Sequence, residues 1–210
     1  MQYCILTILI SFFLASAAFA GISKNTKKKI LILGDSITEG LGVERDEAFP
    51  TVLQNLFRKD GYGQIEVVGS GVSGATSASG PGRMKWLLKS KSDVLVLELG
   101  ANDGLRGLKI DEMKSNLKKT IALAKENKMQ VVLIGIKLPA NYGRDYNEKF
   151  SRAFADVAKD EKIDFIPFFL EKLMAKSKVP LVQKDGLHPN AEGHKLIADE
   201  VYQELVRILK

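Results

Sequence analysis

The chain has 210 residues, enough for one domain of ordinary size and short for two. Hydrophobic residues are 45% and charged residues 27%, near the globular average, which excludes a disordered chain, a collagen and a multi-span membrane protein. The 31 Lys+Arg against 25 Asp+Glu leave a net charge of +6, but the lysines are scattered along helical stretches and make no nucleic-acid surface.

Residues 1–20 read as a signal peptide. They are apolar from Cys4 onward and end in Ala18-Phe19-Ala20, the small-x-small pattern that signal peptidase needs. Cleavage after Ala20 predicts export to the periplasm or the medium, with no stable membrane insertion afterwards. The alternative is an uncleaved N-terminal anchor: no Lys or Arg precedes the apolar run, and Lys24, Lys27, Lys28 and Lys29 follow it. Cys4 is the single cysteine, so residues 21–210 contain no disulfide, zinc-thiolate site or catalytic thiol.

After a basic segment at 21–29, one domain is expected over 30–210. Short apolar runs at 30–33, 65–68, 94–99, 131–136 and 163–166 fit parallel strands covered on both faces. Between and after them come helical repeats. These are Met113, Leu117, Ile121 and Ala124; then Phe150, Phe154, Val157 and Ala158; then Ile197, Val201, Leu205 and Leu209, with Asn190 as the N-cap of the last. The alternation predicts an α/β fold, a three-layer doubly wound sandwich around a five-stranded parallel sheet.

Ligands of such sheets bind beyond the carboxyl ends of the strands. The segments there are Gly34-Asp35-Ser36, the Gly-rich stretch 69–74, Gly100-Ala101-Asn102-Asp103, the stretch 138–143, and Asp185-Gly186-Leu187-His188 before the last helix. Gly69-x-Gly71-x-x-Gly74 follows a strand, but the second and not the first, and opens no helix at once, so it is not read as a dinucleotide site. There is no Gly-Lys pair for a phosphate loop and no Gly-x-Ser-x-Gly elbow. His194, inside the last helix, reads as a surface or packing residue. His188 differs, because Asp185 three residues earlier can hold one ring nitrogen and leave the other free as a base. Ser36 sits where a nucleophile commonly sits, although a turn or N-cap serine is the plain alternative.

Gly34-Asp35-Ser36, Gly74, Asn102 and Asp185-x-x-His188 occur in the order of the four sequence blocks of the SGNH (GDSL-type) hydrolases, which the chain resembles over about residues 28–205. The stretches LILGDS, ELGANDGLRG, LPANYGRDYNEKF and DGLHPN look like the bacterial periplasmic group of multifunctional thioesterases, lysophospholipases and arylesterases. Ile37 stands where the family name has leucine, and Ala75 where relatives often carry a polar residue. The resemblance implies Ser36 as nucleophile, His188 as general base and then acid, and Asp185 as its orienting carboxylate. It implies an oxyanion hole from the N–H groups of Ser36 and Gly74 and the amide of Asn102, and structural roles for Asp35 and Asp103. Segments 104–110 and 138–146 are expected to border the acyl pocket. No cofactor or metal is expected. The expected partners are small acyl esters or thioesters, lysophospholipids among them, met by a monomer. A carbohydrate O-deacetylase on the same fold, or a non-catalytic flavodoxin-like binding module, are the alternatives.

Overall fold

A computed structural model describes residues 23–25, 27–167 and 180–209. The signal-peptide reading of residues 1–20 lies outside the described residues. In chain order the elements are β1 (Lys28–Gly34), α1 (Ser36–Glu39), α2 (Phe49–Lys59), β2 (Ile65–Gly71), α3 (Gly80–Leu87), β3 (Val94–Glu98), α4 (Ala101–Leu105), α5 (Ile110–Glu126), β4 (Gln130–Ile134), α6 (Arg144–Glu161), β5 (Asp164–Ile166) and α7 (Ala191–Ile208). The five strands form one sheet in the order β2-β1-β3-β4-β5, every neighbouring pair parallel.

The period-2 alternation of a strand divides its side chains between two cores. Leu31 and Leu33 of β1, Leu95 and Leu97 of β3, and Val131 and Leu133 of β4 pack against α3, α5 and α6. Ile30 and Ile32, Val94 and Val96, and Val132 and Ile134 face the opposite layer, where α2 and α7 supply Phe49, Leu53, Phe57, Val201 and Leu205. Both faces are covered, which is why these strands read as uninterrupted apolar runs. Each fully buried Leu or Ile stabilises the fold by roughly 1.5–3 kcal/mol.

Strand ends differ from the sequence expectation in ways the packing explains. β1 begins at Lys28, because Lys28 pairs with Ile65 and the N–H of Lys29 reaches the Asp93 carboxylate at 2.7 Å. β2 runs on through Gly69 and Gly71 to pair with Gly34. Its glycines admit the chain packed over them: a Cβ on Gly71 would stand 2.0 Å from the Glu39 nitrogen. The Gly-x-Gly pattern is thus a packing device under α1. β4 stops at Ile134, where β5 ends too, and the Gly135 N–H closes the ladder on Ile166 O at 2.7 Å. At the outer edge of β2 one side chain takes two backbone groups: Gln54 donates to Ile65 O at 3.0 Å and accepts the Val67 N–H at 2.8 Å.

The strand order reverses between β1 and β3, and the crevice at such a switch point is the natural ligand site of an open parallel sheet. The segments after β1, β2 and β3 and the loop before α7 meet there.

Candidate active site

Asp35 leaves β1 and caps the single turn of α1, its Oδ1 accepting the Ile37 N–H at 3.1 Å. This fixes Ser36 as the first residue of the turn, 6% exposed. Its Oγ lies 3.0 Å from Nε2 of His188, which is 152 residues away in the chain. His188 Nδ1 lies 2.6 Å from Asp185 Oδ2. The same carboxylate accepts the N–H groups of Leu187 at 2.9 Å and His188 at 3.0 Å through Oδ1. The imidazole donation, followed by these two backbone bonds, holds the Asp185 carboxyl down at about 2. An ionised carboxylate can only accept, so the ring proton sits on Nδ1 and the Nε2 lone pair faces the Ser36 hydroxyl, which donates to it.

The loop carrying His188 is a small hairpin. Val182 bridges Pro189, and the Gln183 N–H donates to His188 O at 2.8 Å. The Gln183 side chain pins it to the segment after α1, donating to Leu41 O at 2.7 Å and Pro189 O at 2.8 Å. Asn190 then caps α7, accepting the Gly193 N–H at 3.0 Å, as its position before the apolar repeat predicts. His194 is fully buried and its ring is stacked on Phe49, so of the two roles expected for it, packing is the one realised.

Asn102, in the first turn of α4, reaches back to the segment after β2. Its Nδ2 donates to Ala75 O at 3.1 Å and lies 3.4 Å from Asp35 Oδ2. Gly74 adopts φ +75°, a left-handed conformation that suits glycine, and its carbonyl accepts from Arg106 at 2.9 Å. Among the described residues, neither the Ser36 N–H nor the Gly74 N–H has a hydrogen-bond partner. Asp103 holds the adjacent turn, accepting the Ser77 N–H at 2.7 Å and the Ser77 hydroxyl at 2.6 Å. The Tyr142 hydroxyl donates to Leu105 O at 3.1 Å, so the segments 104–110 and 138–146 are joined to each other beside Asn102. All five residues singled out from the sequence therefore meet on one rim. Among the described residues no group of three or more His, Cys, Asp or Glu side chains could hold a metal ion.

Four contributors escape a reading of the sequence. Gln183, Arg106 and Arg83 act through tertiary contacts and carry no local signal. Arg83 donates to Gly34 O at 2.9 Å and to Ser70 O at 2.5 Å, joining β1 to β2 under the site. Glu98 does carry a signal, since it is the one charged residue in the apolar run 94–99. It is 4% exposed, accepts the Thr38 hydroxyl at 2.7 Å, and lies beside Asp35.

Comparison with known proteins adds four observations. Residues 32–196 match the model of the GDSL-like lipase/acylhydrolase family. The arylesterase of Vibrio mimicus is 36% identical over 202 residues, 96% of this chain and 97% of that protein. The thioesterase 1/protease 1/lysophospholipase L1 of Escherichia coli strain K12 is 36% identical over 194 residues, 92% of this chain and 89% of that protein. Among solved structures, the psychrotrophic esterase EstA of Pseudoalteromonas sp., inhibited by monoethylphosphonate, superposes with a TM-score of 0.78 at 32% identity, covering 85% of this chain and 97% of that one.

Proposed function

The chain belongs to the GDSL-like lipase/acylhydrolase family and is an ester hydrolase, and from that premise we propose that it cleaves carboxylic esters and thioesters through an acyl-serine intermediate. The observation that carries this reading is the continuous hydrogen-bond chain from Ser36 Oγ through the His188 ring to Asp185, with legs of 3.0 and 2.6 Å.

In the first half-reaction the Ser36 hydroxyl gives its proton to His188 Nε2 as Oγ bonds to the acyl carbon. Asp185 stabilises the imidazolium that results. Negative charge gathers on the former carbonyl oxygen, and the N–H groups of Ser36 and Gly74 and the Asn102 amide receive it. The tetrahedral adduct collapses and His188 returns the proton to the departing alcohol or thiol. Water repeats the sequence: it loses a proton to His188, bonds to the acyl carbon, and the acid leaves as Ser36 recovers its hydrogen. A carboxamide such as Asn102 suits this work because it does not titrate and so remains a hydrogen-bond donor at every working pH.

The names of the relatives place arylesterase, thioesterase and lysophospholipase activities within this family group, which favours small acyl esters and thioesters as substrates here. The pattern of residues 1–20 favours export with cleavage after Ala20; N-terminal sequencing of the mature protein should then begin at Gly21. For the chemistry, Ser36→Ala should lower hydrolysis of p-nitrophenyl esters by about 10⁴-fold or more, since triad members act as a unit. A phosphonate ester should label Ser36 alone. A Ser36→Ala protein keeping about a tenth of the activity would rule the acyl-serine route out.

A further inference from the structure

Under Ser36 lie two carboxyl groups that the reaction above does not use. Asp35 is 1% exposed and Glu98 4%. Glu98 Oε2 accepts the Thr38 hydroxyl at 2.7 Å and the Asp35 N–H at 3.3 Å. Space for it exists only because residue 34 is glycine: a Cβ there would stand 2.4 Å from Glu98 Oε2 and 1.9 Å from Thr38 Oγ1. The two carboxyls thus share one dry pocket formed by the end of β3, the end of β1 and α1.

The charged and titratable groups facing this pocket are few. Arg83 approaches from α3, but the hydrogen bonds it makes go to the carbonyls of Gly34 and Ser70 and the Ser70 hydroxyl. His188 faces Asp35 from the loop before α7. Among the described residues no lysine or arginine forms an ion pair with either carboxyl. Two adjacent carboxylates in such surroundings do not both ionise, so the pair keeps a proton. The neighbours decide which residue holds it. Asp35 receives the Ile37 N–H and the Asn102 amide; Glu98 receives one hydroxyl and one longer backbone bond. Burial pushes Asp35 up to about 6 and Glu98 well above the usual range, in the same sense.

We propose that Glu98 is a positioning residue that works as a neutral carboxylic acid, holding Thr38 and the Asp35 backbone through Oε2, sharing its proton with the Asp35 carboxyl, and so leaving a single negative charge under the serine turn. A second negative charge there would oppose the oxyanion that forms at Ser36, Gly74 and Asn102. That kinetic consequence rests on the acyl-serine reading; the protonation itself does not.

Two measurements test it. The infrared spectrum of the wild-type protein in heavy water near pH 8 should contain the carbonyl stretch of a neutral carboxylic acid, separate from carboxylates and amides. The band should be absent in Glu98→Gln and present in Ser36→Ala. Glutamine copies the neutral acid, accepting from Thr38 and donating to Asp35, so kcat on p-nitrophenyl acetate should stay within about tenfold of wild type, whereas Glu98→Ala, which leaves Thr38 unpartnered, should lose more than that. If the wild-type protein shows no such band, or Glu98→Gln keeps it, the proposal is overturned. A larger loss of kcat in a folded Glu98→Gln protein overturns it too, because a charge on Glu98 is then required. Failure of the wild type to hydrolyse any ester would count against the acyl-serine reading alone, and the infrared band would still decide on Glu98.

Discussion

One carboxylate holds His188 at two points: Asp185 Oδ2 meets ring Nδ1 at 2.6 Å, and Oδ1 accepts the backbone N–H of the same residue at 3.0 Å. The three-residue spacing makes both contacts possible within one turn, and Gly186 supplies the left-handed φ of +68° that the turn contains. Ring orientation and loop conformation are therefore set by a single side chain.

Asp185→Asn should separate these two tasks. The amide oxygen can still accept the backbone bonds, but it no longer enforces the Nδ1–H tautomer. We expect kcat to fall by about 10²–10⁴-fold with little change in the melting temperature. Because Asp185 is held at about 2, its own protonation contributes nothing to acid loss of activity above pH 4 or so. A rate within about tenfold of wild type would mean that the hairpin alone orients the ring.

Asn102→Ala should reduce kcat by about 10²–10³-fold and leave KM nearly constant, since the contact strengthens only as charge develops on the substrate oxygen. Steady-state kinetics on a single short ester suffice. A change confined to KM would make Asn102 a residue that binds substrate in the ground state.

Asp35→Asn should stabilise the fold at neutral and higher pH. Burial raises the Asp35 carboxyl from 3.8 to about 6, so between these values the folded chain binds more protons than the unfolded one. Stability is thus fully present below about pH 4 and declines as pH rises through 6, by up to about 3 kcal/mol. Asparagine keeps the cap on Ile37 without the buried charge. Urea unfolding at pH 8 should show a gain of about 1–3 kcal/mol that disappears at pH 4; an equal gain at both values would assign it to something other than charge.

His194 acts in the opposite direction. Its ring is fully buried, Nδ1 accepts the Phe49 N–H at 3.3 Å, and Nε2 has no hydrogen-bond partner among the described residues. Desolvation lowers it from 6.5 to about 4. The unfolded chain takes up the proton first as pH falls, so stability present above pH 6.5 is lost toward pH 4, by up to about 3 kcal/mol. His194→Gln should flatten this acid slope and leave esterase activity near pH 8 within about threefold of wild type. A wild-type slope that survives the substitution would place the acid-sensitive group elsewhere.

The fold was legible because strands covered on both faces leave plain apolar runs such as 94–97 and 131–134. The meeting of Ser36 and His188 follows from the same fact, since parallel strands bring every following loop to one end. Other features had no such trace. α3 starts in Gly80-Pro81-Gly82, a composition that reads as loop, although proline in a first turn is ordinary. Gly69 and Gly71 resembled a phosphate-binding pattern, because close packing and phosphate approach both ask for a missing Cβ. Glu98 did stand out as the one charge in the run 94–99, but its partners, Thr38 and Asp35, lie 60 and 63 residues away and left its role unread.

The grip of Gln54 on β2 bears on how this molecule behaves in a crowd. A sheet ends where its last strand leaves donors and acceptors open, and such a strand can recruit the same strand of another copy. Here one carboxamide takes the Ile65 carbonyl and the Val67 N–H at the outer margin, so two of the groups that could seed growth on that side are already engaged. Replacing Gln54 by alanine would leave the interior untouched and reopen that margin. Its signature would be slow, concentration-dependent polymerisation of a protein that still folds and still turns over substrate.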